Sequence, residues 1–440
     1  MDWLLQAGRR IGGRSRWRRR LLVRAYWRAA PVLGYIAALY RRIVLRRIRF
    51  IVVVGSFGKT TTSRVVAGGL FGPGVFRVLG NQKSGIAQGI LQASRRDRFQ
   101  VLEVGIADFG QMEPFARLIG PDVTVVTGIG TEHSRTLGGG ADIAREKCKM
   151  VSVLPSNGLA VLNGDDPHVL WMAERTRARV ITYGFDPSND VSACNVKLDW
   201  PRGTTFTVSV EGTEYQARTR LIGRHMVPPV LAAVAVASAE GLAVAEVLAN
   251  VAEVEPTRGR MHPVKLPNGA IMLRDDFKTP LESVYAALET LEEIPAERKI
   301  VVQADISEPP GKRRKVHREV GARIAEVADL AVFIGEGRKA YASGAARAGM
   351  PRESIFNAGY GVERALEYLR ETLQPGDVVL VKGRLALRLE RITLALQGLT
   401  VTCGIQNCPA LSRPCELCPQ LARDWGAPAG AGVERQTGSR

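Results

Sequence analysis

The sequence predicts an α/β protein: a central domain built on a mostly parallel sheet, followed by a second, smaller doubly wound domain. Three observations carry this. Residues 50–55 (FIVVVG) are a continuous β-branched run that ends in a glycine turn, similar apolar runs recur with helix-compatible stretches between them, and the series restarts after a break near residue 256. An apolar run without alternation marks a strand buried on both faces, and strands that alternate with helices demand a parallel sheet.

The first element, residues 1–49, is a basic arm. The chain has 440 residues and a net charge of +18, of which +13 sits in the first fifty residues as fourteen arginines against one acid, Asp2. Hydrophobic residues make up 45% and charged residues 24%, ordinary globular usage that excludes a mostly disordered chain. The arm's longest apolar stretch, 29–40, has twelve residues including Pro31 and Gly34, short of the roughly 20 needed to span a bilayer. Arginines continue past it, which a secretory signal does not allow. A protein retained in the cytoplasm is expected. Trp3, Trp17, Tyr26, Trp27, Tyr35 and Tyr40 interleaved with arginine suit a helix lying in an interface. The implied partner is an anionic membrane surface at the inner face, and the alternative is a basic amphipathic helix packed on its own protein. No nucleic-acid partner is expected.

The central domain, 50–255, continues with strands at 101–104, 123–126, 159–162 and 180–183. Short alternating stretches between about 190 and 220, such as 205–210, predict an antiparallel patch. A helix over 230–239 leads to the break at Glu255, Pro256 and Thr257. In the second domain, 256–399, strands are expected at 270–273, 299–303, 330–334 and 377–381, a Rossmann-like spacing. Residues 400–440 form a Cys- and Pro-rich tail whose last twenty or so residues are expected to be disordered.

Gly55-Ser56-Phe57-Gly58-Lys59-Thr60-Thr61 follows a buried strand and opens a helix, the context a phosphate loop needs. Backbone N–H groups and the Lys59 ammonium can hold phosphate oxygens, and the Thr60 hydroxyl can ligate Mg²⁺. Two residues separate the glycines here instead of the usual four. A chance GKT in a glycine-rich turn is the bland reading, and the strand in front argues against it. The central domain is therefore read as a P-loop ATPase domain.

Further motifs follow in order: Gly80-Asn81 with Gly85-Ile86, Leu102-Glu103-Val104-Gly105 with Gly110, Thr127-Gly128-Ile129-Gly130 with His133, Ala144-Arg145-Glu146-Lys147, and Asn163-Gly164-Asp165-Asp166-Pro167. With the short loop they resemble the Mur ligase family, whose members join an amino acid or peptide to a carboxylate using ATP. Gly259-Arg260, Asp275-Asp276, Asp305, 317–321 (HREVG) and 376–383 (GDVVLVKG) look most like the members that add a dipeptide to a nucleotide-linked tripeptide. The likeness spans about residues 50–398.

What the resemblance implies is an ATP- and Mg²⁺-dependent amide ligase that phosphorylates a carboxylate to an acyl phosphate and couples it to an amine. Lys59, Glu103, His133 and Lys147 are the implied catalytic set. Thr60, Glu103, His133 and a carbamylated Lys147 are the implied Mg²⁺ ligands. Gly55, Ser56, Phe57, Gly58, Lys59, Thr60, Thr61, Asn81, Arg260, Asp275 and Lys278 are placed on the nucleotide, with the last three closing from the second domain. Without the surrounding motifs Lys147 reads as a solvated helix lysine. Asp165 and Asp166 read as a turn without chemistry.

Three departures bear on the substrates. A basic arm of about fifty residues precedes the loop, so the family's uridine-nucleotide domain is not expected there, and the carboxylate is expected on a lipid-linked or polymeric precursor. The family's Gly-x-His-Asn-x-x-Asn stands as Gly223-Arg224-His225-Met226-Val227-Pro228-Pro229, without either asparagine. Asp275-Asp276-Phe277-Lys278-Thr279-Pro280 and Lys382-Gly383-Arg384-Leu385 also depart from the dipeptide-adding pattern, leaving the amine donor open.

Cys403, Cys408, Cys415 and Cys418 lie within sixteen residues. Four thiolates, one pair as Cys-x-x-Cys, suit a tetrahedral Zn²⁺ site, and free or redox-active thiols are the alternative. Cys148 and Cys194 read as packing residues. Three functions are thus set against one another: the ligase, a nucleotide-binding scaffold that has lost the chemistry, and a nucleic-acid ATPase. Retention of Gly58, Lys59, Thr60, Glu103, His133 and Lys147 together favours the ligase.

Overall fold

The computed structural model describes residues 32–73, 81–132, 134–406, 408 and 413–422. Two sheets organise them. The first contains β1 (Arg49–Val54), β2 (Phe99–Glu103), β3 (Val123–Val126), β4 (Leu159–Asn163), β5 (Arg179–Gly184), β6 (Val191–Asp199), β7 (Gly203–Val210) and β8 (Thr213–Thr219). Their order is β2-β1-β3-β4-β5-β6-β7-β8, parallel from β2 through β6 and antiparallel from β6 to β8. The second sheet contains β9 (His262–Lys265), β10 (Ile271–Asp275), β11 (Arg298–Gln303), β12 (Leu330–Ile334), β13 (Ile355–Gly359) and β14 (Asp377–Lys382). It runs β13-β12-β11-β14-β10-β9, parallel except at the β9 edge. The expected α/β class and mostly parallel sheet are observed.

The unalternated apolar run of β1 is explained by what covers each face. Ile51 and Val53 join one buried cluster with Val65, Val66 and the helix Pro228–Ala239, while Phe50, Val52 and Val54 join another with Ile86, Ile90, Phe115 and Ile119. The helix Pro228–Ala239 is apolar all round, and residues 229–237 are all buried, as such a helix must be. Its neighbour, the helix Lys59–Phe71, also packs closely on the helix Val244–Ala252 and the residues after it, because it has Gly68 and Gly69 where side chains would meet Val254 and Val247. The cluster on this face continues into the second sheet through Leu273, Leu288 and Val301.

Residues 32–43 form a helix. Arg41 anchors it, donating to the Ile119 and Gly120 carbonyls at 3.1 and 3.0 Å, pairing with Asp122 at 2.7 Å and stacking over the Phe50 ring. The guanidinium thereby satisfies the C-terminal carbonyls of the helix Met112–Ile119. This part of the arm packs on its own protein. The arm residues 1–31 lie outside the described residues, as do 423–440.

The cysteines bear on two expectations. Among the described residues no three His, Cys, Asp or Glu side chains converge into a metal-like set, so the Zn²⁺ reading of Cys403, Cys408, Cys415 and Cys418 has no support. The segment is held instead by protein contacts: the Cys408 amide donates to Ala386 O at 3.0 Å, the Cys415 amide to Glu390 Oε1 at 3.1 Å, and Arg388 and Arg391 donate to Arg413 O and Ile405 O. Cys415 packs with Leu394 and Leu421. Cys148 is buried as expected, but Cys194 is exposed, because β6 alternates, Val191 and Ala193 facing the core and Ser192 and Cys194 the opposite side.

Candidate active site

The site is built where β1 ends. Gly55 has φ +149°, and a Cβ there would lie 2.0 Å from Thr127 Oγ1, so only glycine lets the loop pass the end of β3. Gly58, at φ +75°, turns the chain into the helix Lys59–Phe71, whose first turn has no side-chain cap. Its leading N–H groups are left for a ligand. The Thr127 hydroxyl donates to Phe57 O at 2.5 Å and the Ser56 amide donates to Gly128 O at 2.7 Å, tying loop to sheet. Lys59 folds back over the loop, donating to Gly55 O and Ser56 O at 2.8 Å each. Burial holds its pKa below the usual lysine range, opposed by the nearby Glu132 carboxylate.

Glu103 closes β2 beside the loop. Asn81 Nδ2 donates to Glu103 Oε1 at 2.9 Å, and Gly105 leaves room for that amide, since a Cβ there would lie 2.7 Å from it. Glu103 Oε2 is buried with no hydrogen-bond partner among the described residues. An orphaned carboxylate oxygen is costly unless something cationic completes it. With the Thr60 hydroxyl it makes a hard oxygen donor pair that fits Mg²⁺.

Glu132 joins the two sheets electrostatically. Its carboxylate pairs with Lys278 from the second sheet's side and lies 3.5 Å from Lys59 Nζ. Lys147, on the helix Gly140–Ser152, is 2% exposed and has its pKa pushed down to about 7, first by burial and then by the Lys59 cation. It is thus no solvated helix lysine. Glu282 adds a second bridge, accepting from the Thr131 amide at 2.7 Å and its hydroxyl at 3.2 Å.

From the second sheet, Arg260 Nη2 donates to Thr60 Oγ1 at 3.2 Å. Asp275 is buried and committed to structure: it pairs with Lys382 and accepts from the Met261 amide at 3.3 Å. Lys382, completely buried, also donates to Ser283 Oγ and Lys278 O at 2.9 and 3.2 Å. Burial lowers its pKa and Asp275 counters that. The pair holds the backbone of Lys278, so Asp275 acts behind the lysine that reaches Glu132.

Of the residues expected at the site, contacts join Lys59 to Gly55 and Ser56, Arg260 to Thr60, Asn81 to Glu103, and Lys278 to Lys59 through Glu132, with Lys147 close enough to feel the Lys59 and Lys278 charges; Asp275 stands behind Lys278 through Lys382, and His133 lies outside the described residues. Asp165 and Asp166 are structural: Asp165 accepts from the Phe185 and Asp186 amides, Asp166 from those of Ile129 and His168. Glu132 and Glu282 were not legible in sequence because their partners come from the other sheet.

Fold and site define a two-sheet P-loop α/β protein in which side chains from both sheets meet beside the glycine loop. The model of the Mur ligase middle domain matches residues 53–237, and that of the Mur ligase glutamate ligase domain matches 259–385. The UDP-N-acetylmuramoyl-tripeptide–D-alanyl-D-alanine ligase of Mycobacterium bovis is 31% identical over 406 residues, covering 85% of this chain and 78% of the relative. That of Escherichia coli is 27% identical over 370 residues, covering 83% and 80%. Among solved structures, MurF from Acinetobacter baumannii superposes with a TM-score of 0.74 at 23% identity, over 84% of this chain and 80% of the other. The MurF ligase from Thermotoga maritima in complex with ADP gives 0.69 at 20%, over 84% of each. The chain belongs to the Mur ligase family.

Proposed function

We propose that the chain is an ATP-dependent, ADP-forming ligase that couples a carboxylate on a cell-envelope precursor to an amino acid or peptide amine, at the inner face of the membrane. The observation that supports this most is the convergence of cations from both sheets on one phosphate loop: Lys59 from the first, Arg260 and Lys278 from the second. Moving a phosphoryl group from one anion to another requires charge neutralisation more than a strong nucleophile. The carboxylate attacks the γ-phosphorus to give an acyl phosphate and ADP. The amine then attacks the acyl carbon, expels phosphate and yields the amide.

Lys59 and the uncapped N–H groups of the loop hold the β- and γ-phosphates, and Arg260 moves from the Thr60 hydroxyl to the transferring phosphoryl group. Glu103 and Thr60 would hold Mg²⁺, with His133 as a further ligand, and the ion would supply charge neutralisation. Lys147, with its ammonium disfavoured, offers a free amine that can take up CO₂ as a carbamate, turning a cation into an oxygen donor. The nature of both relatives' substrates supports a muramoyl-peptide-like carboxylate and a D-amino acid dipeptide as the first pair to try.

The test is ADP release from Mg-ATP by the purified protein, with membrane and soluble extracts as carboxylate source and pooled amino acids and dipeptides as amine. Release that requires the amine and is lost in Lys59→Ala is expected. ATP binding without release under every pool would establish the scaffold reading instead.

A further inference from the structure

The helix over residues 32–43 buries one face and leaves the other bare. Gly34, Ala37 and Arg41 face the protein, whereas Val32, Tyr35, Ile36, Leu39 and Ile43 are 39–68% exposed. At roughly 100° per residue these five fall within an arc of about 100°, one continuous apolar stripe. Exposed arginines border it. Arg42 stands beside the stripe, Arg46 and Arg47 follow it, and Arg95 and Arg96 lie in the loop that Tyr40 reaches through its hydroxyl bond to Ala93 O at 3.3 Å. Between residues 3 and 96 the chain has no acid at all, and the segment leading into this helix carries nine of the arginines.

We propose that this flank docks on an anionic lipid bilayer, the stripe entering the boundary of headgroups and acyl chains and the arginines pairing with lipid phosphates. The stripe's own helix carries cations and no acid, and the one acid of the neighbouring loop, Asp97, accepts from the Ser94 amide at 2.8 Å, a charge pattern that fits that partner. A second copy of this chain would bring like charges together, and nucleic acid would leave five apolar side chains without a role. As the proposed ligase acts at a membrane, the inference rests on that reading for its purpose, though not for its geometry.

The geometry also says where the cleft would be. The helix runs alongside the helix Lys83–Gln92: Gly34 lies next to Lys83, where a Cβ would be 3.6 Å from Cε, and Tyr40 lies next to Ala93. Lys83 is two residues beyond Asn81, which holds Glu103. One end of the stripe therefore stands at the rim of the catalytic cleft and the other at the base of the sheet. Docking along the stripe lays the protein on its side, with the cleft rim at headgroup level. A carboxylate carried on a lipid-linked headgroup could enter from there.

The experiment is flotation of the full chain, without nucleotide, on vesicles of phosphatidylcholine with or without about one third phosphatidylglycerol. Binding to the anionic vesicles alone, weakened by salt, is expected. Ile36→Glu with Leu39→Glu should lower partitioning by more than about tenfold, and Arg46→Glu with Arg47→Glu by about fivefold per charge removed. Because the stripe is exposed, the apolar pair should leave the melting temperature unchanged. The proposal is overturned by no flotation of the unmodified chain, by unchanged flotation of both variants, by preference for an added DNA duplex, or by a fall in melting temperature that shows the stripe covered from within. Binding is read without catalysis, so an inactive protein that floats would sink the ligase reading and leave this one standing.

Discussion

Arg260, at the entrance to the second sheet, donates from Nη2 to the hydroxyl of Thr60, on the first turn of the phosphate-loop helix 3.2 Å away. The two residues are two hundred positions apart, and their contact brings a cation from beside the second sheet to the first turn of the helix that follows the glycine loop. Arg260→Met is expected to lower kcat/KM for ATP by about 10²–10³-fold, the usual size for one well-placed transition-state donor. Steady-state ADP release checks it, with Arg260→Lys recovering only part because a point charge cannot reproduce the planar fork.

Glu132 holds Lys278 and lies within reach of Lys59. Glu132→Gln leaves these lysines near Lys147 without their carboxylate. Removing one partner of a buried pair costs about 3–5 kcal/mol, and since Lys278 is partly exposed, a loss near 2 kcal/mol is expected. Urea denaturation measures it, and ligation should fall in parallel.

Lys147 makes a pH-dependent prediction. Its ordinary pKa of 10.5 falls to about 7 in the folded protein. Between those values the unfolded chain holds one more proton at this site, so this group makes stability rise with pH across that window. Lys147→Met is expected to raise the melting temperature at pH 7, with the advantage shrinking toward pH 10.5, while abolishing ligation. A melting temperature that falls at pH 7 would contradict the buried, unfavourable ammonium.

Glu103→Gln removes the charge that the orphaned Oε2 carries. The Mg²⁺ concentration for half-maximal ADP release is expected to rise by more than about tenfold. Metal-free ATP binding, followed by calorimetry, should be unchanged or tighter, since a negative charge near the phosphates is gone.

Thiol reactivity tests the cysteine assignments. Cys194 is exposed, whereas Cys148, Cys403, Cys408 and Cys415 are buried, with Cys415 pushed up to about 12 by burial and the Glu390 carboxylate. One fast thiol, lost in Cys194→Ser, is expected with an aromatic disulfide reagent at pH 8, followed by a slower one from half-buried Cys418.

The strand, loop and helix around Gly55 and Gly58 were legible because their signals are local: β-branched residues that need burial on both faces, then glycines where a Cβ would meet Thr127. The helix Pro228–Ala239 announced itself by being apolar on every side. Edge strands were less legible. His262–Lys265 and Ile355–Gly359 are short, and one contains Pro263, which only an edge position tolerates.

Sequence alone determined the α/β class, the phosphate loop, the order of motifs that places the chain among the Mur ligases, and the concentration of arginine at one end. Those properties rest on residue type and spacing within a few turns or strands. Tertiary structure alone decided that Glu132 and Glu282 bridge the sheets, that Asp275 supports Lys382, that Lys147 loses its charge near neutrality, and that the tail cysteines are held by protein hydrogen bonds. The reason is physical: a charge's role depends on burial and on the charges facing it, and both are set by chain segments well separated in sequence, by 25 residues for Cys415 and Glu390 and by 146 for Lys278 and Glu132.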